Sequence, residues 1–220
     1  VTPIRDAATV ILLRDRATRP RVLMGQRGAG AVFMPGKFVF PGGAVDATDA
    51  TVPLARPVPA PCDARLSSDS ALTPATIAAA AIRELWEESG LALARPGPAA
   101  PWPGFPGMAD AGAMRFVFRA VTPAGRPRRF DARFLLVPAT AILGDPDDFS
   151  AATDELSHLQ WVPLDAARSF DLPFITEIVL AEIAWRLGED GPPPSVPFFR
   201  NNDDAHQVAN LGLDVTVDRD

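Results

Sequence analysis

Arg83-Glu84-Leu85-Trp86-Glu87-Glu88-Ser89-Gly90-Leu91 puts three carboxylates within five residues, directly ahead of a glycine. On a helix, residues three and four apart lie on the same face, so Glu84, Glu87 and Glu88 form one acidic edge. Like charges at that spacing repel, and the arrangement calls for a compensating cation. A hard divalent ion suits an all-oxygen donor set, Mg2+ first and Mn2+ as a substitute. The plain alternative is a solvated helix face on which Arg83 pairs with Glu87 at i,i+4. The turn Pro41-Gly42-Gly43, with Asp46 and Asp49 close behind it, favours the metal reading, because these acids complete a site if the chain folds back onto the helix.

The surrounding sequence frames that helix. Thr73-Pro74 supplies an N-cap and a proline at the first helical position. The Ala-rich stretch after it runs through Glu88, and Gly90 is a suitable C′ residue. Upstream, Ala7–Leu13 and Val22–Met24 read as neighbouring strands, and Phe38–Phe40 as a short third. Downstream, Met114–Val121 and Phe130–Val137 read as interior strands joined by a turn at Pro123–Arg128, and Leu159–Val162 as another strand. Arg95–Gly112, rich in Pro and Gly, reads as loop. Pro173–Leu187 has a helical pattern with an apolar face. Residues 47–72 carry no sustained period and read as a surface excursion. Beyond Gly188 a Pro-rich stretch predicts an extended tail, in which Phe198, Phe199 and the alternating run near Leu213 are able to dock. Short strands between two substantial helices predict a mixed, layered α/β arrangement.

At 220 residues the chain is long enough for one good core, and a hydrophobic content of 47% argues against wholesale disorder. A net charge of −6 provides no general field for nucleic acid. It leaves room for an anionic small molecule, since a bound metal inverts the local potential. A single cysteine, Cys62, excludes an intramolecular disulfide framework and a thiolate cluster, and reads as an ordinary loop residue. No apolar run reaches membrane-spanning length and no signal segment opens the chain, so a soluble, cytoplasmic protein is expected. No serine sits in a nucleophile-elbow context, which disfavours covalent hydrolysis.

The acidic stretch resembles the signature of the Nudix hydrolases: a glycine, five residues, a glutamate, seven residues, then Arg-Glu, an aliphatic residue, any residue, Glu-Glu, any residue, glycine and an aliphatic residue. Gly43 matches the first glycine, and Arg83–Leu91 matches the whole second half. The first half departs twice. Asp49 stands where the glutamate falls by direct count, and about 26 residues intervene between the two parts. The resemblance implies an α+β fold, an α/β/α sandwich with a mixed β-sheet flanked by helices. Residues 1–190 would form a single domain, with an inserted surface segment at about 47–72 and a C-terminal tail at 191–220.

Val22–Arg27, Phe33–Asp46 and Arg129–Phe134 are similar to the coenzyme A diphosphatase-like branch, which carries a long insertion inside the signature. The resemblance implies hydrolysis of a diphosphate linkage in a nucleoside diphosphate conjugate, coenzyme A or acyl-coenzyme A first. NADH or ADP-ribose-like substrates, and a non-catalytic nucleotide-binding or regulatory role, are the alternatives. The further Arg-x-x-His-x-Gly element of many coenzyme A-specific relatives is absent. It also implies Glu84, Glu87 and Glu88 as metal ligands. Glu84 or a later acid, Asp154 or Glu155, would be the general base, with Arg83 stabilising the acidic cluster or the phosphate charge. Arg27 and Lys37 are candidate phosphate clamps, and Arg129 or Arg133 candidates for a more distal charge. Phe38, Gly42 and Gly43 complete the expected substrate contacts. The expected partner is the small-molecule conjugate, with no nucleic acid and no membrane, and a homodimer is left open.

Overall fold

The computed structural model describes residues 2–189, 191–202 and 205–211; the predicted run near Leu213 lies outside them. Its spine is the strand β1 (Ile4–Arg14), which pairs in parallel with β8 (Arg129–Pro138) from Ile4↔Arg129 to Leu13↔Pro138. β1 reads as a continuous apolar run because both of its faces are covered. Ala8, Val10 and Leu12 join one core cluster, while Ile11 and Leu13 join a second. The first cluster packs under the helix α2 (Pro74–Ser89), the second under α3 (Phe174–Trp185). The result is the expected sandwich, with a mixed sheet between helical layers.

The other edge of β1 is shared. The strand β2 (Arg21–Arg27) pairs with its end, at Leu13↔Val22 and Arg14↔Arg21. The short β4 (Gly42–Ala44) pairs with its middle, from Ala7↔Ala44 to Thr9↔Gly42. β2 turns away to β3 (Phe38–Val39) and β9 (Leu156–Pro163), so the sheet splits between β2 and β4. The Gly42–Gly43 turn stands at this split, against α2.

α2 follows its sequence signals closely. Thr73 Oγ1 accepts from the Thr76 N–H at 3.1 Å, Pro74 opens the helix, and Gly90 closes it in the left-handed region at φ 72°. Its Ala78–Ala81 run is wholly buried, because the helix is covered on more than its sheet face. Full burial of Ile77, Ile82 and Leu85 contributes roughly 1.5–3 kcal/mol each.

Three expectations are corrected or refined here. Residues 47–72 are mostly exposed, as expected, but are anchored rather than loose: a 3-10 turn at Ala47–Thr51 buries Asp49, and the short helix α1 (Cys62–Ser67) follows. Val52, Val58, Cys62 and Leu66 all enter the α2 core cluster. Cys62 is therefore a core residue rather than a loop one, its Sγ accepting from the Phe116 N–H at 3.3 Å. The Arg95–Gly112 stretch carries a two-residue ribbon, β5 (Ala94–Arg95) with β6 (Met108–Ala109), and buries Trp102 and Phe105. The tail docks through Phe198 and Phe199 as expected, and does so as sheet: β10 (Val196–Asn202) adds in parallel to β7 (Arg115–Val121), and β11 (Ala205–Leu211) pairs antiparallel outside it. No helix among the described residues is long and apolar enough to cross a membrane.

Candidate active site

Arg83 organises the acidic edge. Its Nε and Nη2 donate to the two oxygens of Asp49 at 2.9 and 3.0 Å, and Nη1 donates to Glu84 and Glu87 at 2.9 and 3.0 Å. Nη2 also donates to the carbonyl of Ala44 at 3.0 Å, beside the glycine turn. A guanidinium carries five N–H donors, and these five bonds occupy them. Of its two expected roles, this geometry serves the acidic cluster and leaves no donor for a phosphate. Asp49 is 1% exposed and is delivered by the 3-10 turn. Its Oδ2 also accepts from the Asp46 N–H at 2.8 Å. Asp49 is therefore consumed in holding Arg83 and does not face the open site.

Glu84 and Glu88 meet the glycine turn. The Gly42 N–H donates to Glu88 Oε2 at 2.7 Å, whereas Glu88 Oε1 is buried with no hydrogen-bond partner. A Cβ on Gly43 would stand 2.5 Å from the carboxylate of Glu84, so a glycine is what lets this carboxylate lie against the backbone. Burial pushes the Glu84 carboxyl up to about 7, against the pull of Arg83 and with the help of the negative charges of Glu87 and Glu155. Burial also raises Glu88 well above the ordinary carboxylate range, over the opposing Gly42 N–H, and the charges of Glu84 and Glu155 add to it. An orphaned buried oxygen among carboxylates whose ionisation is penalised is the chemistry a divalent cation satisfies. Glu88 and Glu84 fit that role. Glu87 is turned toward Arg83, and among the described residues no three acidic, His or Cys side chains already close around a metal position.

Glu84, Glu87 and the glycine turn stand at a cavity of about 900 Å³ on the α3 side of the sheet, whereas Glu88 is buried and does not line it. Arg27, Lys37, Gly42, Gly43, Arg83, Glu84, Glu87 and Glu155 all line it, so most of the expected site residues converge. Glu155, in the loop immediately before β9, lies 3.5 Å from the Arg27 guanidinium, and Lys37 pairs with Asp171. The loop bearing Glu155 is tied to α2 by the Thr153 N–H donating to the Glu87 carbonyl at 2.9 Å, and it packs on Gly90.

Three expected contacts do not reach the cavity. Phe38 packs edge-to-face on Phe170 at 4.7 Å, in the α3 core. Arg129 donates to the Thr122 carbonyl at 3.1 Å, within its own hairpin. Arg133 is 1% exposed and held by Asp6 and Asp131. The cause is the two-residue period of β8: Phe130, Ala132 and Phe134 take the cavity face, which turns Arg129, Asp131 and Arg133 away from it. Unforeseen from the sequence are Phe33, Phe130 and Phe174 on the cavity wall and Arg126 and Arg128 at its rim. The alternation Phe-x-Ala-x-Phe at 130–134 was the available signal for Phe130.

No protein-family model matches the sequence. The chain is 30% identical to the crystal structure of a NUDIX hydrolase from Alicyclobacillus acidocaldarius, with a TM-score of 0.63, over 88% of this chain and 100% of that one. It is also 30% identical over 185 residues to the Caenorhabditis elegans protein named "Putative nudix hydrolase 7", matching 74% of this chain. The chain spans 52% of that curated relative's length. A MutT protein from Methanosarcina mazei Go1 shares the fold, with a TM-score of 0.51 at 14% identity over 86% of this chain and 98% of that one.

Proposed function

The chain belongs to the Nudix hydrolase superfamily, and from that premise we propose that it hydrolyses the diphosphate linkage of a nucleoside diphosphate conjugate with a divalent cation. The observation that carries this reading is that Glu84, Glu87 and the Gly42–Gly43 turn line the cavity, with Glu88 buried against the same turn on the Gly42 N–H. Glu84, Glu88 and, once released from Arg83, Glu87 would hold Mg2+ or Mn2+. Such an ion, when bound, neutralises the diphosphate charge and acidifies an attacking water.

The chain's own groups do the rest. Arg83 fixes the spacing of the carboxylates through Asp49 and Ala44. Arg27 and Lys37 bind diphosphate oxygens, each exchanging a carboxylate partner for the ligand. Glu155, exposed at the cavity and close to Arg27, accepts the proton of the attacking water at its carboxylate, with Glu84 the other candidate for that role. Phe33 and Phe130, in edge contact at 5.2 Å, offer an aromatic wall for a nucleobase.

Coenzyme A or an acyl-coenzyme A is the proposed substrate, on the long insertion and the Phe33–Asp46 segment. A cavity of about 900 Å³ also admits NADH or ADP-ribose. A mass-spectrometric screen of coenzyme A, acetyl-coenzyme A, NADH and ADP-ribose with Mg2+ or Mn2+ tests the reading. Release of a nucleoside monophosphate or bisphosphate is expected. Tight binding across the panel with no product would instead identify a non-catalytic nucleotide-binding protein. A cytoplasmic setting belongs to the same proposal.

A further inference from the structure

Six cationic side chains line the cavity: Arg5, Arg27, Lys37, Arg83, Arg126 and Arg128. Four of them have carboxylate partners, Arg5 with Asp46, Arg27 with Glu155, Lys37 with Asp171, and Arg83 with its acidic ring. Arg126 and Arg128 have neither an ion pair nor a hydrogen bond among the described residues. They sit on the β7–β8 hairpin, whose ends are fastened by the Thr122 N–H to the Phe130 carbonyl at 2.8 Å and the Phe130 N–H to Thr122 Oγ1 at 3.0 Å. Pro123 and Pro127 restrict the turn and Gly125 takes the left-handed conformation at φ 77°, so the two guanidiniums are presented on a short, constrained loop.

The sheet register separates this pair from the acidic site. Gly43 stands beside Ala8, and Ala8 beside Arg133. Arg128 lies five residues earlier on the same strand line, roughly 16 Å along the strand direction and, by two strand spacings, about 10 Å across the sheet from Gly43. The aromatic contact of Phe33 with Phe130 lies beside the hairpin. A ligand that runs from Glu84 to this aromatic wall lies along the same cavity that Arg126 and Arg128 line.

We propose that Arg126 and Arg128 form a second anion subsite that selects nucleotides carrying an additional phosphate monoester on the ribose. The inference rests on the hydrolase reading for the ligand's orientation, and deepens it by naming the feature the protein discriminates. Two arginines offer paired donors to the three oxygens of a monoester, a match that a ribose hydroxyl does not provide.

Calorimetric titration of the full chain with adenosine 3′,5′-bisphosphate, adenosine 2′,5′-bisphosphate and adenosine 5′-monophosphate tests this without any turnover. At least one bisphosphate binds ten-fold or more tighter than the monophosphate, and its position identifies the ribose carbon recognised. Arg126→Ala/Arg128→Ala abolishes the difference, while Arg129→Ala keeps it. Equal affinities in the unaltered chain, or a preference that survives the double substitution, overturn the subsite. In the parallel activity assay, the kcat/KM ratio of coenzyme A to dephospho-coenzyme A, or of NADPH to NADH, falls toward one in the double variant. A chain that keeps the binding preference but hydrolyses no conjugate overturns the hydrolase reading and leaves the subsite standing. A chain that hydrolyses phosphorylated and dephosphorylated forms equally overturns the subsite alone.

Discussion

Arg83 and Asp49 form a two-bond ion pair across the insertion, with Nε and Nη2 of the arginine on the two oxygens of the aspartate at 2.9 and 3.0 Å. Both side chains are buried. Removing one partner of a buried pair leaves a charge without compensation and costs on the order of 3–5 kcal/mol. Because Glu84 and Glu87 also hold Arg83, Asp49→Ala belongs at the low end, about 3 kcal/mol. Urea unfolding measures it, and a midpoint equal to that of the unsubstituted chain contradicts the assignment of Asp49 as the partner of Arg83.

Gly42 and Gly43 respond differently to the same substitution. A methyl on Gly43 meets the end of the flexible Glu84 side chain, which is able to swing aside. A methyl on Gly42 meets the Ala8 carbonyl at 2.6 Å and the Thr9 Cα at 2.7 Å, which are backbone and fixed in the sheet. Gly43→Ala therefore keeps its melting temperature to within a few degrees, a cost of about 1 kcal/mol or less, and loses turnover by displacing a metal-site carboxylate. Gly42→Ala melts markedly earlier. Melting curves of the pair, with a diphosphatase assay of the first, check this; a Gly43→Ala protein with full activity contradicts the role given to Glu84.

Metal dependence carries a pH signature. The folded-state carboxyl of Glu84 lies near 7, above its ordinary value of 4.5, and burial raises Glu88 in the same direction. In the metal-free protein the stability from Glu84 is fully present below pH 4.5 and is lost as the pH rises through about 7, and Glu88 acts with the same sign. A bound cation offsets the loss, and protons compete with it at low pH. Mg2+ added after chelation thus raises the melting temperature more at pH 8 than at pH 5. Equal shifts at the two values contradict a site built on Glu84 and Glu88.

Much of this site was legible in the chain because its signals are local. Thr73-Pro74 and Gly90 set the bounds of α2, and the helical period alone places Glu84, Glu87 and Glu88 on one edge. The layered arrangement followed from short strands set between two substantial helices and the sandwich from the resemblance, and β1 is covered on both faces accordingly. What escaped depends on distant pairing. Residues 47–72 have no period because they fill the far side of α2 through single anchors, Val52, Val58, Cys62 and Leu66, rather than through a regular face. The tail looked extended because β10 is a strand only by virtue of its partner β7. Phe38, Arg129 and Arg133 were assigned by residue type alone, and the side on which each points is fixed by strand register.

The central claim is that Glu88 supplies a metal-facing carboxylate for diphosphate hydrolysis. Glu88→Gln is nearly isosteric, and its amide oxygen still accepts the Gly42 N–H while the buried charge is gone. The decisive measurement is the rate of nucleotide release, by mass spectrometry, from the conjugate the unsubstituted chain cleaves best, across a range of Mg2+ concentrations. The account predicts a Glu88→Gln protein that melts at or above the original temperature and turns over on the order of 100-fold or more slowly. A folded Glu88→Gln protein with near-normal turnover at every Mg2+ concentration would contradict it.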